Sequence, residues 1–192
     1  MNLLLVIAVG YLLGSIPWGL WLPRWAKGVD VRRHGSGNVG AANVLRTTGR
    51  PLGVLVMSLD ILKGAATVLL ASAVEGGHSA MAAAGAAAVV GHIYPVWLRF
   101  HGGKGVAVAA GVFSVLAPFA TVSAAGVFLL VVWASRVISL GSLAATVTLP
   151  SVALLSGAST SVVAAATGTG ALILFRHRAN MRRILSGTER RL

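Results

Sequence analysis

Apolar residues run along this chain in blocks long enough to cross a bilayer, and polar residues gather between them. The blocks fall at about 3–22, 53–74, 79–98, 105–119, 121–134, 138–156 and 160–176, and each reads as a membrane helix, since a span needs roughly 20 predominantly apolar residues. The stretch 105–134 could be one long tilted helix or two short ones. Pro118 sits near its middle, where proline breaks the intrahelical hydrogen-bond ladder. Charge parity decides for two. With seven helices, loops 23–52 and 99–104, Arg136 and the tail 177–192 share one side, and the loops near 75–78, 118–121 and 157–160 carry no Lys or Arg. With six, Arg136 and the tail would lie with the uncharged loops, against the positive-inside rule. The expectation is one all-α integral membrane domain over 1–192. It has seven transmembrane helices, short-helix or re-entrant cytoplasmic loops, an outside N-terminus and a cytoplasmic C-terminus.

Composition sharpens this picture. The chain is 56% hydrophobic and 10% charged, with 16 Lys and Arg against four acids. A soluble domain carries roughly 25% charge. The cations flank the spans, so a membrane surface accounts for them better than nucleic acid does. The first run lacks a basic segment before it and is followed by Arg24 and Lys27, so it reads as a retained helix, not a cleaved leader. Zero cysteines exclude thiolate chemistry and disulfides. Asp30, Asp60, Glu75 and Glu189 are scattered, so neither a carboxylate-held metal nor a cofactor is expected. Ala- and Gly-rich helices such as 81–91 and 164–171 suit close packing in lipid.

Three basic segments look built to hold an anion. Residues 32–50, RRHGSGNVGAANVLRTTGR, place Ser36, Gly37 and Asn38 in a turn whose free backbone N–H groups could face phosphate. A short helix over about 38–48, with Ser36 near its N-cap, would present a favourable dipole and carry Asn43 and Arg46 on one face. In HGGKG, Gly102, Gly103 and Gly105 would let the backbone approach a phosphate, and Lys104 supplies a point charge. This is not a nucleotide-binding P-loop, because Leu98 and Gly105 stand where that motif needs Gly and Ser or Thr. In the tail, His177, Asn180 and Arg183 recur on one helical face. The bland alternatives are a headgroup-binding loop, a tight turn and a basic anchor. Asp60 and Lys63, three apart inside a span, are either functional or a self-satisfied pair. Ser139 and Ser142 are weaker candidates whose hydroxyls could simply bond their own helix.

These residues carry a family resemblance. The segments GSIPWG (14–19), GSGNVGAANVLRTTG (35–49), DILKG (60–64), GHIYPVWLRFHGGKGVA (91–107), SLGSL (139–143) and RHRANMRRILSGTE (176–189) resemble, in order and end to end, the bacterial acyl-phosphate:glycerol-3-phosphate acyltransferases. The resemblance implies a seven-helix bundle of the bacterial inner membrane with a cytoplasmic site and no cofactor. It implies acyl transfer from acyl phosphate to the 1-hydroxyl of glycerol 3-phosphate. It places Ser36, Arg46, Lys104, His177 and Asn180 in functional motifs. Apart from the resemblance, Asp60, Lys63, Arg183 and Glu189 form a secondary set of candidates. No histidine has an Asp five residues later, so the HxxxxD acyltransferase motif is absent. His177 could be a general base or a phosphate ligand. The resemblance suggests instead that substrate phosphate takes the proton. A transporter or binding protein for a phosphorylated solute is the rival reading. It fits less well, because the outer half of the chain is almost wholly apolar and no internal repeat is visible.

Overall fold

Two prolines and a run of glycines decide where the apolar blocks stop being helix. The computed structural model describes residues 3–75 and 77–192, and its ordered elements among them are all helical. Gly76, in one of the uncharged connections, lies outside the described residues. The first block is two helices, α1 (Leu3–Gly14) and α2 (Trp18–Lys27), and not one helix over 3–22. Pro17 has no N–H to donate and biases Ile16 away from helical backbone, so the chain breaks at 15–17. The Ile16 carbonyl, freed by the break, accepts from the Lys63 ammonium at 2.8 Å. Next come α3 (Ala41–Thr48), α4 (Arg50–Glu75) and α5 (His78–Ile93).

The block expected over 79–98 ends as helix at Ile93. Beyond it the chain makes a single 3₁₀ turn, Val96–Leu98, and then folds back. Arg99 and Phe100 both take positive φ to make that reversal. Gly102 N–H then donates to the Ile93 carbonyl and Gly103 N–H to the His92 carbonyl, each at 3.0 Å. These bonds satisfy carbonyls that the end of α5 would otherwise leave open.

The 105–134 region is two helices, α6 (Val106–Leu116) and α7 (Pro118–Ser135), with Pro118 at the start of the second. Then follow α8 (Ile138–Leu155), α9 (Thr160–Arg176) and α10 (Arg178–Leu185). Among the described residues, five units are long and apolar enough to cross a membrane: Leu3–Lys27, Arg50–Val74, His78–Leu98, Pro118–Ser135 and Ile138–Leu155. α6 and α9 are shorter apolar helices. At 1.5 Å per residue α6 is about 16 Å long, roughly half the hydrocarbon thickness.

α6 is enclosed by α4, α5, α7 and α9, and it buries Val108, Val112 and Phe113 in the main core cluster. Its contact with α4 requires glycine on both sides. A side chain at Gly64 would strike the Val108 carbonyl, and one at Gly111 would strike that of Ile61. Backbones this close gain dispersion contacts that larger residues would forfeit.

Candidate active site

Five segments meet at one end of the bundle around a polar chamber of about 150 Å³. They are the 36–46 segment, the middle of α4, the 104–106 turn, the start of α8 and the tail from His177 to Arg190.

The 36–46 segment is held by its own side chains. Asn43 is buried, and its Nδ2 donates to the carbonyls of Val31, His34 and Asn38 at 2.9–3.2 Å. Its Oδ1 accepts from Ser36 N–H at 2.8 Å. The expected anion-facing turn therefore takes a different form. The Ser36 N–H is used by Asn43, and Gly37 N–H donates to His34. Gly37 does not line the chamber. Nor is Ser36 near an N-cap, because α3 begins at Ala41 with Gly40 preceding it. Asn38 Oδ1 accepts from Gly40 N–H at 2.8 Å, and its Nδ2 donates to the Gly102 carbonyl at 3.2 Å, tying this segment to the 99–105 loop.

Two helix starts nevertheless face the chamber. Gly40, Ala41 and Ala42 line it at the start of α3, and Gly105 and Val106 at the start of α6. Neither N-cap residue has a side chain to cap its helix, and past the Gly40 N–H that Asn38 accepts, the first N–H groups have no partner in the helical ladder. Gly105 must be glycine because its φ is +90°. Gly102 and Gly103 do not line the chamber. The backbone approach to phosphate expected of them is replaced by a packing constraint. A side chain at Gly103 would enter the His92 ring, and one at Gly102 would strike the His92 carbonyl and Pro95.

Lys104, Asn180 and Glu189 form the chamber's central chain. Lys104 Nζ donates to Asn180 Oδ1 at 2.6 Å, and Asn180 Nδ2 donates to Glu189 Oε1 at 2.6 Å. Ser139 Oγ donates to the same Glu189 oxygen at 2.8 Å, and Arg183 Nε donates to its other oxygen at 2.6 Å. Arg46 reaches across to the Arg190 carbonyl at 3.4 Å, and its buried Nε has no protein partner. Ser142 lines the chamber while its hydroxyl bonds the Ile138 carbonyl at 3.0 Å. His177 and Asn180 do not share one continuous helix, since the chain breaks at His177 between α9 and α10. Both still line the chamber, as does Arg183.

Burial lowers Lys104 to about 8, with Glu189 opposing the shift and Arg183, Arg46 and Arg176 reinforcing it. Burial also lowers His177 to about 4, and the charge of Lys104 adds to this. His177 is therefore neutral near pH 7. Its Nδ1 lies 2.8 Å from the Ile173 carbonyl, which can only accept, so Nδ1 carries the proton and Nε2 the lone pair. Burial lowers Arg46 too, although a guanidinium stays charged. Burial tends to raise Glu189, yet hydrogen bonds from Ser139, Asn180 and Arg183 hold it below the usual carboxylate value.

Of the secondary set, Arg183 and Glu189 are central. Asp60 lines the chamber as well, while Lys63 lies behind it, 2.8 Å from Asp60 Oδ1. Sequence reasoning missed His92 and Arg190 as chamber residues. A histidine within an apolar block was the available signal for the first.

A second cavity of about 300 Å³ lies beside the chamber between α4, α6, α7, α8 and α9. Met57, Val106 and Phe128 line both. Its other walls include Ile61, Ala109, Ala124, Leu149 and Ile173. A cationic chamber that shares a wall with an apolar cavity suits a molecule with an anionic head and a hydrocarbon tail, or two molecules that divide those parts.

The fold and the site together define a helical integral membrane protein with a cationic chamber beside an apolar cavity. The profile of the glycerol-3-phosphate acyltransferase family matches residues 4–187, and the chain belongs to that family. It is 48% identical over 187 residues to the glycerol-3-phosphate acyltransferase of Myxococcus xanthus, covering 97% of each chain. It is 45% identical over 189 residues to that of a Synechococcus strain, covering 98% of this chain and 94% of the relative. Among solved structures it is similar to PlsY (YgiH), an integral membrane glycerol 3-phosphate acyltransferase, in its glycerol 3-phosphate form. The TM-score is 0.94 at 41% identity, covering 99% of this chain and 95% of that one. The lysophosphatidic acid form of the same enzyme matches with a TM-score of 0.92.

Proposed function

We propose that this protein transfers an acyl group from acyl phosphate to the 1-hydroxyl of glycerol 3-phosphate, giving lysophosphatidate and inorganic phosphate. The observation that carries this reading is the junction of the cationic chamber with the apolar cavity at Met57, Val106 and Phe128. Both substrates bring a phosphate, and one also brings a long chain. The two forms in which the PlsY relative was solved, with glycerol 3-phosphate and with lysophosphatidic acid, correspond to substrate and product of this reaction.

The hydroxyl oxygen attacks the acyl carbonyl carbon, the bond from that carbon to the phosphate oxygen breaks, and phosphate leaves with the electron pair. The hydroxyl proton passes to a substrate phosphate oxygen. Burial and the charge of Lys104 disfavour a proton on His177, which leaves a substrate phosphate oxygen as the acceptor. No acyl-enzyme forms. Among the described residues, none of Ser36, Ser139 or Ser142 is hydrogen-bonded to a histidine that could activate it. Lys104, Arg46 and Ser36 hold the phosphates, with Asn43 and Asn38 shaping the 36–46 segment. Asn180, Arg183 and Ser142 complete the positioning.

The chain spans the bacterial cytoplasmic membrane seven times, with α6 and α9 as the two short spans. Its N-terminus is outside, and its chamber and tail are cytoplasmic. The chamber segments all carry Lys or Arg or neighbour them, whereas the 157–160 connection carries none. Purified protein in detergent, given acyl phosphate and labelled glycerol 3-phosphate without other additions, should yield labelled lysophosphatidate. Efficient turnover with a thioester donor in place of acyl phosphate would refute the donor assignment. A transporter for a phosphorylated solute would instead move labelled solute into vesicles without acylating it.

A further inference from the structure

We propose that His92, locked in place by the buried Asp60–Lys63 pair, is a positioning residue for Lys104, and that Gly103 is small to fit the His92 ring and not a substrate. Lys63 Nζ sits 2.8 Å from the Ile16 carbonyl, 2.8 Å from Asp60 Oδ1 and 3.1 Å from His92 Nδ1. An ammonium has no lone pair, so toward the His92 ring it can only donate. His92 Nδ1 must therefore accept, which puts the imidazole proton on Nε2. The same ammonium fixes the break between α1 and α2 and the end of α5. Both Asp60 and Lys63 are buried, so their pairing resists water and holds one geometry.

From this anchored ring the Lys104 loop takes its place. The His92 carbonyl accepts the Gly103 N–H at 3.0 Å, and the ring lies against Gly103 so closely that no Cβ fits there. The next residue is Lys104, whose Nζ meets Asn180 on the far side of the chamber. A shift at 103 is thus carried directly to the chamber's buried cation.

The test is a size-complementation cycle, and it rests on the acyltransferase reading. Wild-type protein assayed alongside separates the two, since a wild type without lysophosphatidate synthesis would sink that reading alone. Gly103→Ala should lower kcat/KM for glycerol 3-phosphate by about 10²-fold, the scale expected of a misplacement near 1 Å. His92→Asn keeps an acceptor for Lys63 but removes the far side of the ring. Alone it should also impair turnover. Combined with Gly103→Ala it should restore activity roughly tenfold over Gly103→Ala, and raise its thermal midpoint in detergent. In a Lys104→Gln background, His92→Asn should change kcat/KM by no more than a factor of about two, because the residue it positions is gone. A merely structural role for His92 would keep its full effect there. Should Gly103→Ala fail to fold, recovery of folded yield in the double variant is the expected result. A folded double variant no better than Gly103→Ala, a double variant that does not regain folding, or full additivity with Lys104→Gln would overturn the proposal. The first of these results would point to substrate crowding at Gly103.

Discussion

Lys104 is the chamber cation whose charge is most easily lost. Burial has moved it down to about 8, so its ammonium is complete below that pH and disappears as pH rises through it. The kcat/KM profile for glycerol 3-phosphate should therefore fall on its alkaline side near pH 8, since kcat/KM reports the free enzyme. Bound phosphate favours the charged form, so the kcat profile should fall at higher pH. Steady-state kinetics across the alkaline range would check both, and an alkaline limb unchanged in Lys104→Gln would refute the assignment. Arg46 differs in kind. Its guanidinium offers a planar fork, and its buried Nε has no protein partner in the chamber. Arg46→Lys keeps the charge and loses the fork. It should cost about 2.7–4 kcal/mol of transition-state stabilisation, or roughly 10²–10³ in rate. Wild-type kinetics in a folded Arg46→Lys protein would show that charge alone suffices.

At the scale of elements, the segment after α10 closes the chamber. Arg190 donates to the Gly35 carbonyl at 3.1 Å and Leu192 N–H to the Arg136 carbonyl at 2.8 Å, so the tail bridges the 36–46 segment and the α7–α8 connection. Glu189 is its inner contact. Glu189→Ala removes the acceptor used by Ser139, Asn180 and Arg183. A donor stranded without an acceptor costs about 1–3 kcal/mol, which the tail can escape only by detaching. We expect kcat to fall about tenfold or more, and the tail to become more sensitive to limited proteolysis. The sign of the affinity change is informative, because losing a negative charge beside an anion site should not weaken phosphate binding. A large rise in KM with kcat unchanged would assign Glu189 to substrate contact. The broken first helix is the other element-scale device, since Pro17 frees the Ile16 carbonyl that Lys63 then occupies.

For the whole molecule, the seven-span proposal puts the positive charges and the chamber on one face. Because the chain has no cysteine, single cysteines report topology without background. A cysteine at Ser159, in the uncharged 157–160 connection, should label from outside, and one at Arg190 only from the cytoplasm. Labelling of both from one side would reject the seven-span arrangement. The all-helical, apolar architecture was legible in the chain itself. Hydrocarbon imposes long apolar runs, and the charges that flank them follow a rule that does not depend on packing. The ordered motifs from GSIPWG to RHRANMRRILSGTE likewise carried the family. Even the division of 105–134 was visible, since a proline acts on its own backbone neighbours.

Tertiary contact decided the rest. The glycines of HGGKG looked like a phosphate cradle, but the position of the His92 ring explains Gly103, and a positive φ explains Gly105. Asn43 looked like a ligand, yet its amide is consumed by carbonyls at 31, 34 and 38 and by the Ser36 N–H. Lys104 meets Asn180 across 76 residues, and Asn38 meets Gly102 across 64. Such contacts join elements distant in sequence, and no local periodicity encodes them. Burial depends on the same assembly, and it moves Lys104 and His177 from their ordinary values. The sequence alone determined which residue types would reach the membrane face and which would stay in lipid. Only the packed bundle decided which of those polar groups are free to meet a substrate and which are already bonded to the protein.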